Sequence, residues 1–171
     1  MGCGNIGSQI AKRLSAFEMK VVGYDKEIGG KPYFEQIYGL TEISDFVSQC
    51  DYLVNCIPLM PSTIGLLNKN WFELMKHDIT FVNVGRKQII NDKDFLKFLK
   101  SHSDVTAILD MLEMIPNPIT NPYRRLSNVL VLPGVTAISQ EINERLNALI
   151  IDNINRMYDG KPLLCVITKP D

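Results

Sequence analysis

The run Gly2-Cys3-Gly4-Asn5-Ile6-Gly7 spaces three glycines as GxGxxG and leads at once into Ile10, Ala11, Leu14 and Phe17 at helical period. A helix beginning there leaves its first amide N–H groups without carbonyl partners, and the positive end of its dipole faces the loop. That combination attracts an anion, and a diphosphate fits it well. A short strand-like run then ends in Asp25, 18 residues past Gly7. An acid at that distance is placed to accept hydrogen bonds from the two ribose hydroxyls of a dinucleotide. Its charge repels a 2′-phosphate, so the spacing predicts NAD rather than NADP. A plain glycine-rich turn with a surface aspartate is the competing reading, and the helix that follows at once argues against it. Elsewhere, Arg86 offers a guanidinium just past a second apolar run, and the only histidines are His77 and His102. The cysteines Cys3, Cys50, Cys56 and Cys165 form no CxxC pair, which excludes a zinc ribbon and a dithiol redox centre and predicts no metal site.

These residues need a scaffold, and its pattern is α/β. Apolar runs at residues 21–24, 52–56, 79–84, 105–109 and 129–132 predict strands. Residues 41–49, 91–102 and 136–158 have helical periodicity. Asn91 is the expected N-cap of the second of these, and Asp159-Gly160 with Pro162 closes the third. Strands apolar on both faces and separated by helices imply a parallel sheet, hence a Rossmann-type doubly wound domain. One element is missing from the pattern. A GxGxxG loop normally follows a buried strand in mid-sheet, yet only Met1 precedes Gly2. Its neighbours would then carry unpaired backbone groups, at about 1–3 kcal/mol each. The expectation is therefore a chain that is a piece of a longer protein or begins at an internal methionine. Otherwise the strand comes from another chain or from the C-terminal segment.

Composition narrows the classes. The 171 residues carry 18 basic and 19 acidic side chains, for a net charge of −1, and no long block of one sign. This argues against a nucleic-acid binder and a polybasic membrane anchor. No apolar stretch approaches the roughly 18 residues of a membrane span, and no signal peptide opens the chain. Unpaired cysteines predict a cytoplasmic protein.

With these residues in view, the chain resembles the D-isomer-specific 2-hydroxyacid dehydrogenases. Gly2 to Asp25 is similar to that family's loop, helix and second strand. Asp51-Tyr52-Leu53-Val54 with Ile57-Pro58-Leu59 and Thr63 resembles its next segment. Phe81-Val82-Asn83-Val84-Gly85-Arg86, Ala107-Ile108-Leu109-Asp110 and Asn128-Val129-Leu130-Val131-Leu132-Pro133 follow in family order. The resemblance implies an NAD-binding domain over residues 1–160, followed by a segment, 161–171, returning to a substrate domain. It also implies contacts. Gly2, Gly4, Asn5, Ile6 and Gly7 would cradle the diphosphate, and Asp25 would hold the adenosine ribose. Ile57, Pro58 and Thr63 would line the adenine side, with Val84 and Gly85 by the nicotinamide ribose and Asp110 at the carboxamide. A 2-oxo or 2-hydroxy acid is the implied substrate, and pairing into a homodimer is implied as well.

The family's chemistry is hydride transfer assisted by an arginine, a histidine and a glutamate. Arg86 stands at the arginine position. The histidine and glutamate positions hold Gly134 and Ile115, neither of which can carry a proton. Glu18 stands where the family usually ends its first helix with glycine, which predicts a left-handed backbone at a non-glycine residue. Two functions remain in play. One is the cofactor-binding portion of an oxidoreductase, impaired as this chain. The other is a non-catalytic NAD(H)-binding sensor or interaction module.

Overall fold

The computed structural model describes residues 1–110 and 120–166. They fall in two compact units, Met1–Gly134 and Val135–Asp171. In the first unit helix α1 (Asn5–Ser15) leads to β1 (Val22–Tyr24) and β2 (Gln36–Tyr38). Then come α2 (Ile43–Val47), β3 (Tyr52–Asn55), α3 (Lys69–Phe72), β4 (Thr80–Asn83), α4 (Asp92–Ser101), β5 (Thr106–Asp110) and β6 (Val129–Leu132). All strand pairs are parallel, β1 with β2 and β3-β4-β5-β6 in that order. The expected α/β parallel architecture is therefore present.

Met1 and Gly2 lie between the two sets of strands. The Met1 nitrogen donates to the Val54 carbonyl at 2.8 Å, and the Cys56 N–H donates to the Met1 carbonyl at 3.0 Å. On the other side the Gly2 N–H donates to the Tyr24 carbonyl at 2.9 Å. The order is thus β2-β1-(Met1-Gly2)-β3-β4-β5-β6, and the two arms run outward from Met1. Right-handed crossovers place the helices of such arms on opposite faces.

The core is concentrated under β3–β5. Phe72 lies between Phe95 and Phe98 with ring centroids 5.0 and 5.5 Å away, and Phe81 meets Phe95 edge-on at 5.2 Å. Burial of such aromatics is the main stabilising term of a small domain. α4 presents Phe95, Phe98 and Leu99 to this core, and the Asn91 side chain caps it by accepting from the Asp94 N–H, as its sequence predicts. Glu18 has φ 59°, the left-handed turn expected where a glycine is usual.

Two expectations change. No strand is expected between residues 24 and 52, yet Gln36–Tyr38 forms one whose register is set by β1. The helix expected over 136–158 is α5 (Ile142–Tyr158) and starts later, at Glu141, with no side-chain cap. α5 has no buried residue among those described in the second unit. No described helix is long and apolar enough to cross a membrane.

Candidate cofactor site

Parallel strands put all their C-terminal ends on one edge, and the loops leaving that edge gather in one place. The edge of the first unit collects nearly every residue expected to act. Gly2–Gly7 follows the Met1 position, Asp25 follows β1, and Ile57 and Pro58 follow β3. Val84, Gly85 and Arg86 follow β4, Asp110 ends β5, and Gly134 stands two residues past β6. His77 and His102 precede β4 and β5, at the opposite edge, where their rings stack 4.8 Å apart.

The loop fits a diphosphate. Gly4 is the N-cap of α1, contributes no side-chain cap and has nothing within 4 Å of where a Cβ would stand. The first turn of α1 contains no acidic residue, and Asn5 and Ile6 are exposed. Its amides therefore face open space, with no acidic side chain of the helix's own first turn beside them. A Cβ on Gly7 would overlap the Gly2 carbonyl oxygen, so the close packing of helix on loop requires glycine there.

Asp25 does more than wait for a ribose. Its Oδ2 accepts from the Cys3 N–H at 2.6 Å and its Oδ1 from the Glu27 N–H at 3.0 Å. These bonds clasp the glycine loop to the end of β1, and each oxygen keeps a second lone pair for a hydroxyl. Lys31, which sequence reasoning passed over, donates to the Cys3 carbonyl at 3.0 Å and adds a cation beside the loop. Burial raises the Cys3 and Cys56 pKa values, so both are protonated thiols rather than nucleophiles.

The next two loops are tied together by side chains that the sequence alone left unassigned. Asn55 and Asn83 occupy the last positions of β3 and β4, both fully buried. Asn55 Nδ2 donates to Asn83 Oδ1 at 2.8 Å, and Asn83 Oδ1 also accepts from the Gly85 N–H at 3.1 Å. Asn55 Oδ1 accepts from the Ile57 N–H at 3.2 Å. The pair thus fixes the start of both loops. Two asparagines each closing an apolar run were the available signal, since a buried amide needs partners. Thr63 spends its hydroxyl on its own loop, accepting from the Met60 N–H and donating to the Pro58 carbonyl, each at 2.8 Å.

Arg86 is exposed, with extended backbone, ahead of a 3-10 turn at Lys87–Ile89. Lys87 pairs with Asp92 at 2.6 Å, and Asp92 accepts from the Tyr123 hydroxyl at 2.9 Å. Burial, reinforced by Asp92, pushes the Tyr123 phenol far above its ordinary pKa, so it remains a donor throughout the working pH range. Gly134 has φ 75°, a left-handed conformation. A histidine there would need both a new side chain and a strained or rebuilt backbone. Ile115 lies outside the described residues. Asp110 is buried at the end of β5.

Comparison with known proteins agrees with this layout. Residues 1–136 match the model of the D-isomer specific 2-hydroxyacid dehydrogenase NAD binding domain. D-3-phosphoglycerate dehydrogenase of Archaeoglobus fulgidus is 30% identical over 171 residues, 99% of this chain but 32% of its own length. Human glyoxylate reductase/hydroxypyruvate reductase is 30% identical over 95% of this chain and 50% of its length. The chain thus spans between a third and a half of these relatives. Among solved structures, a 2-hydroxyacid dehydrogenase of Xanthobacter autotrophicus in complex with NADPH and MES superposes with TM-score 0.87 at 25% identity, covering 98% of this chain and 68% of that one. A glyoxylate/hydroxypyruvate reductase of Sinorhizobium meliloti in complex with NADP and sulfate gives 0.86 at 28% identity, covering 98% and 54%. By its sequence and by its fold, this chain belongs to the D-isomer-specific 2-hydroxyacid dehydrogenase family, as an NAD-binding domain.

Proposed function

We propose that the chain binds NAD(H) at the C-terminal edge of its sheet and that its proton-transfer machinery is lost. One observation carries the reading: an open helix start whose loop is clasped by a carboxylate at the ribose position. The α1 amides hold the diphosphate, while Asp25 takes the adenosine ribose and disfavours a 2′-phosphate. Ile57, Pro58 and Thr63 lie on the adenine side, Val84 and Gly85 by the nicotinamide ribose, and Asp110 at the carboxamide. Residues 1–160 form the cofactor-binding part, and 161–171 lead back towards a substrate domain. A second copy pairs through the cofactor-binding part.

When bound, the cofactor supplies a hydride to a 2-oxo acid. The exposed guanidinium of Arg86 is suited to grip the acid's carboxylate in bidentate fashion and polarise its carbonyl. No imidazole follows β6 to complete the reaction, and losing general acid–base help costs about 10²–10⁴-fold in rate. Gly134 in a left-handed turn favours a second reading, an NAD(H)-binding sensor that does not turn over.

NADH oxidation by the full-length gene product with pyruvate, glyoxylate and hydroxypyruvate separates the two. Turnover abolished by Arg86→Ala identifies a slow reductase. Saturable NADH binding with no turnover identifies the sensor. Absence of both rejects the proposal.

A further inference from the structure

Residues 2–8 contain no lysine or arginine, and the basic residues of α1, Lys12 and Arg13, stand in its last turn. The glycine loop therefore meets an anion with backbone amides and a helix dipole worth roughly half an elementary charge. A dinucleotide diphosphate brings a formal double negative charge. Asp25 adds its own, because its Oδ2 is held 2.6 Å from the Cys3 nitrogen. Without a further cation, the seated cofactor leaves the loop with an excess of negative charge.

The segment after β1 supplies that cation. From residue 26 to residue 33 every position is exposed except Lys31, which is half-buried. Its ammonium donates to the Cys3 carbonyl at 3.0 Å, and the Ser8 hydroxyl donates to the same oxygen at 3.2 Å. Cys3 is thus gripped at both ends by opposite charges, Asp25 on its N–H and Lys31 on its carbonyl, directly ahead of the N-cap Gly4. The Glu27 carboxylate lies 3.9 Å from the ammonium, but its side chain is 72% exposed, and water screens the pairing. Lys87, on the same edge, is instead committed to Asp92 at 2.6 Å.

We infer, on the cofactor reading above, that Lys31 is the charge-balancing residue of the diphosphate cradle. Held on the Cys3 carbonyl, its ammonium offsets cofactor charge that the amides and dipole leave uncovered. It also polarises the peptide unit between Cys3 and Gly4, which makes the Gly4 N–H a stronger donor. Lys31 acts through the loop, so it is a positioning residue, and its charge matters more than its hydrogen bond.

The test titrates NADH, and NADPH in parallel, into the unaltered chain and three variants at about 50 and about 500 mM salt. Lys31→Gln keeps a donor for the Cys3 carbonyl and loses the charge. It is expected to weaken NADH binding about tenfold at the lower salt, with the gap closing at the higher. Lys31→Arg keeps the charge and is expected to stay within about twofold of the unaltered chain. Lys26→Gln removes an exposed cation next to Asp25 and is expected to do no more than that. Equal NADH affinity in Lys31→Gln and the unaltered chain overturns the inference. So does a loss that Lys31→Arg shares or that salt leaves unchanged, because Lys31 then only anchors its loop. A loss confined to NADPH overturns it too, since the ammonium then reads a 2′-phosphate. Absence of NADH binding by the unaltered chain is a separate result, which rejects the cofactor reading and this role with it.

Discussion

Around Gly2–Gly7 the polar groups are either open to a ligand or fastened by a neighbour, with Asp25 and Lys31 both bonded to Cys3. Around Gly134, where the proposed reading needs an imidazole, the backbone is left-handed and the residue is glycine. On that reading the difference teaches how such a site decays. Diphosphate binding is performed by backbone amides and a helix dipole, which most substitutions leave untouched. Proton transfer is performed by individual side chains, and one replacement removes it.

The largest effect that would sharpen this contrast is expected at Gly7. Gly7→Ala drives a methyl into the Gly2 carbonyl, so it should cost about 1–3 kcal/mol of stability and take NADH binding below detection, as read by thermal melting and titration. Asp25→Ala comes next. Removing the acceptor of a charge-assisted bond should weaken NADH binding by about 1.5–3 kcal/mol and shrink its preference over NADPH. An unchanged NADH/NADPH ratio would break the link between the clasp and cofactor choice.

Asn83→Ala leaves the buried Asn55 amide and the Gly85 N–H without their acceptor. A stability loss of about 1–3 kcal/mol in urea unfolding is expected. At the other pole, Arg86→Ala removes an exposed side chain on the proposed substrate side of the site. It should leave stability within about 0.5 kcal/mol and NADH affinity unchanged, while abolishing any turnover with 2-oxo acids. A large loss of NADH affinity in that variant would collapse the contrast, because Arg86 would then belong to the cofactor site.

The features legible in sequence were those set by local chemistry. Gly2, Gly4 and Gly7 announce a loop because few other residues fit it, and Asp25 is found by counting from it. Glu18 was legible through the family resemblance, whose pattern places glycine where the first helix ends. The features that stayed hidden join distant segments. Gln36–Tyr38 is a strand only because β1 lies beside it. Asn55 and Asn83 are 28 residues apart, and Tyr123 reaches Asp92 across 31. Lys31 lies in a run of glycine, lysine and proline that carries no periodicity, and only folding sets its ammonium against the Cys3 carbonyl. The place of Met1 and Gly2 between Val54 and Tyr24 likewise appeared only with folding.

Calorimetric titration of NADH into the chain, alongside the Gly7→Ala and Arg86→Ala variants, tests the central claim most directly. The account predicts saturable one-to-one binding that is lost in Gly7→Ala and kept in Arg86→Ala. Heats that fail to saturate at millimolar NADH, or that are the same in the Gly7→Ala variant, would contradict it.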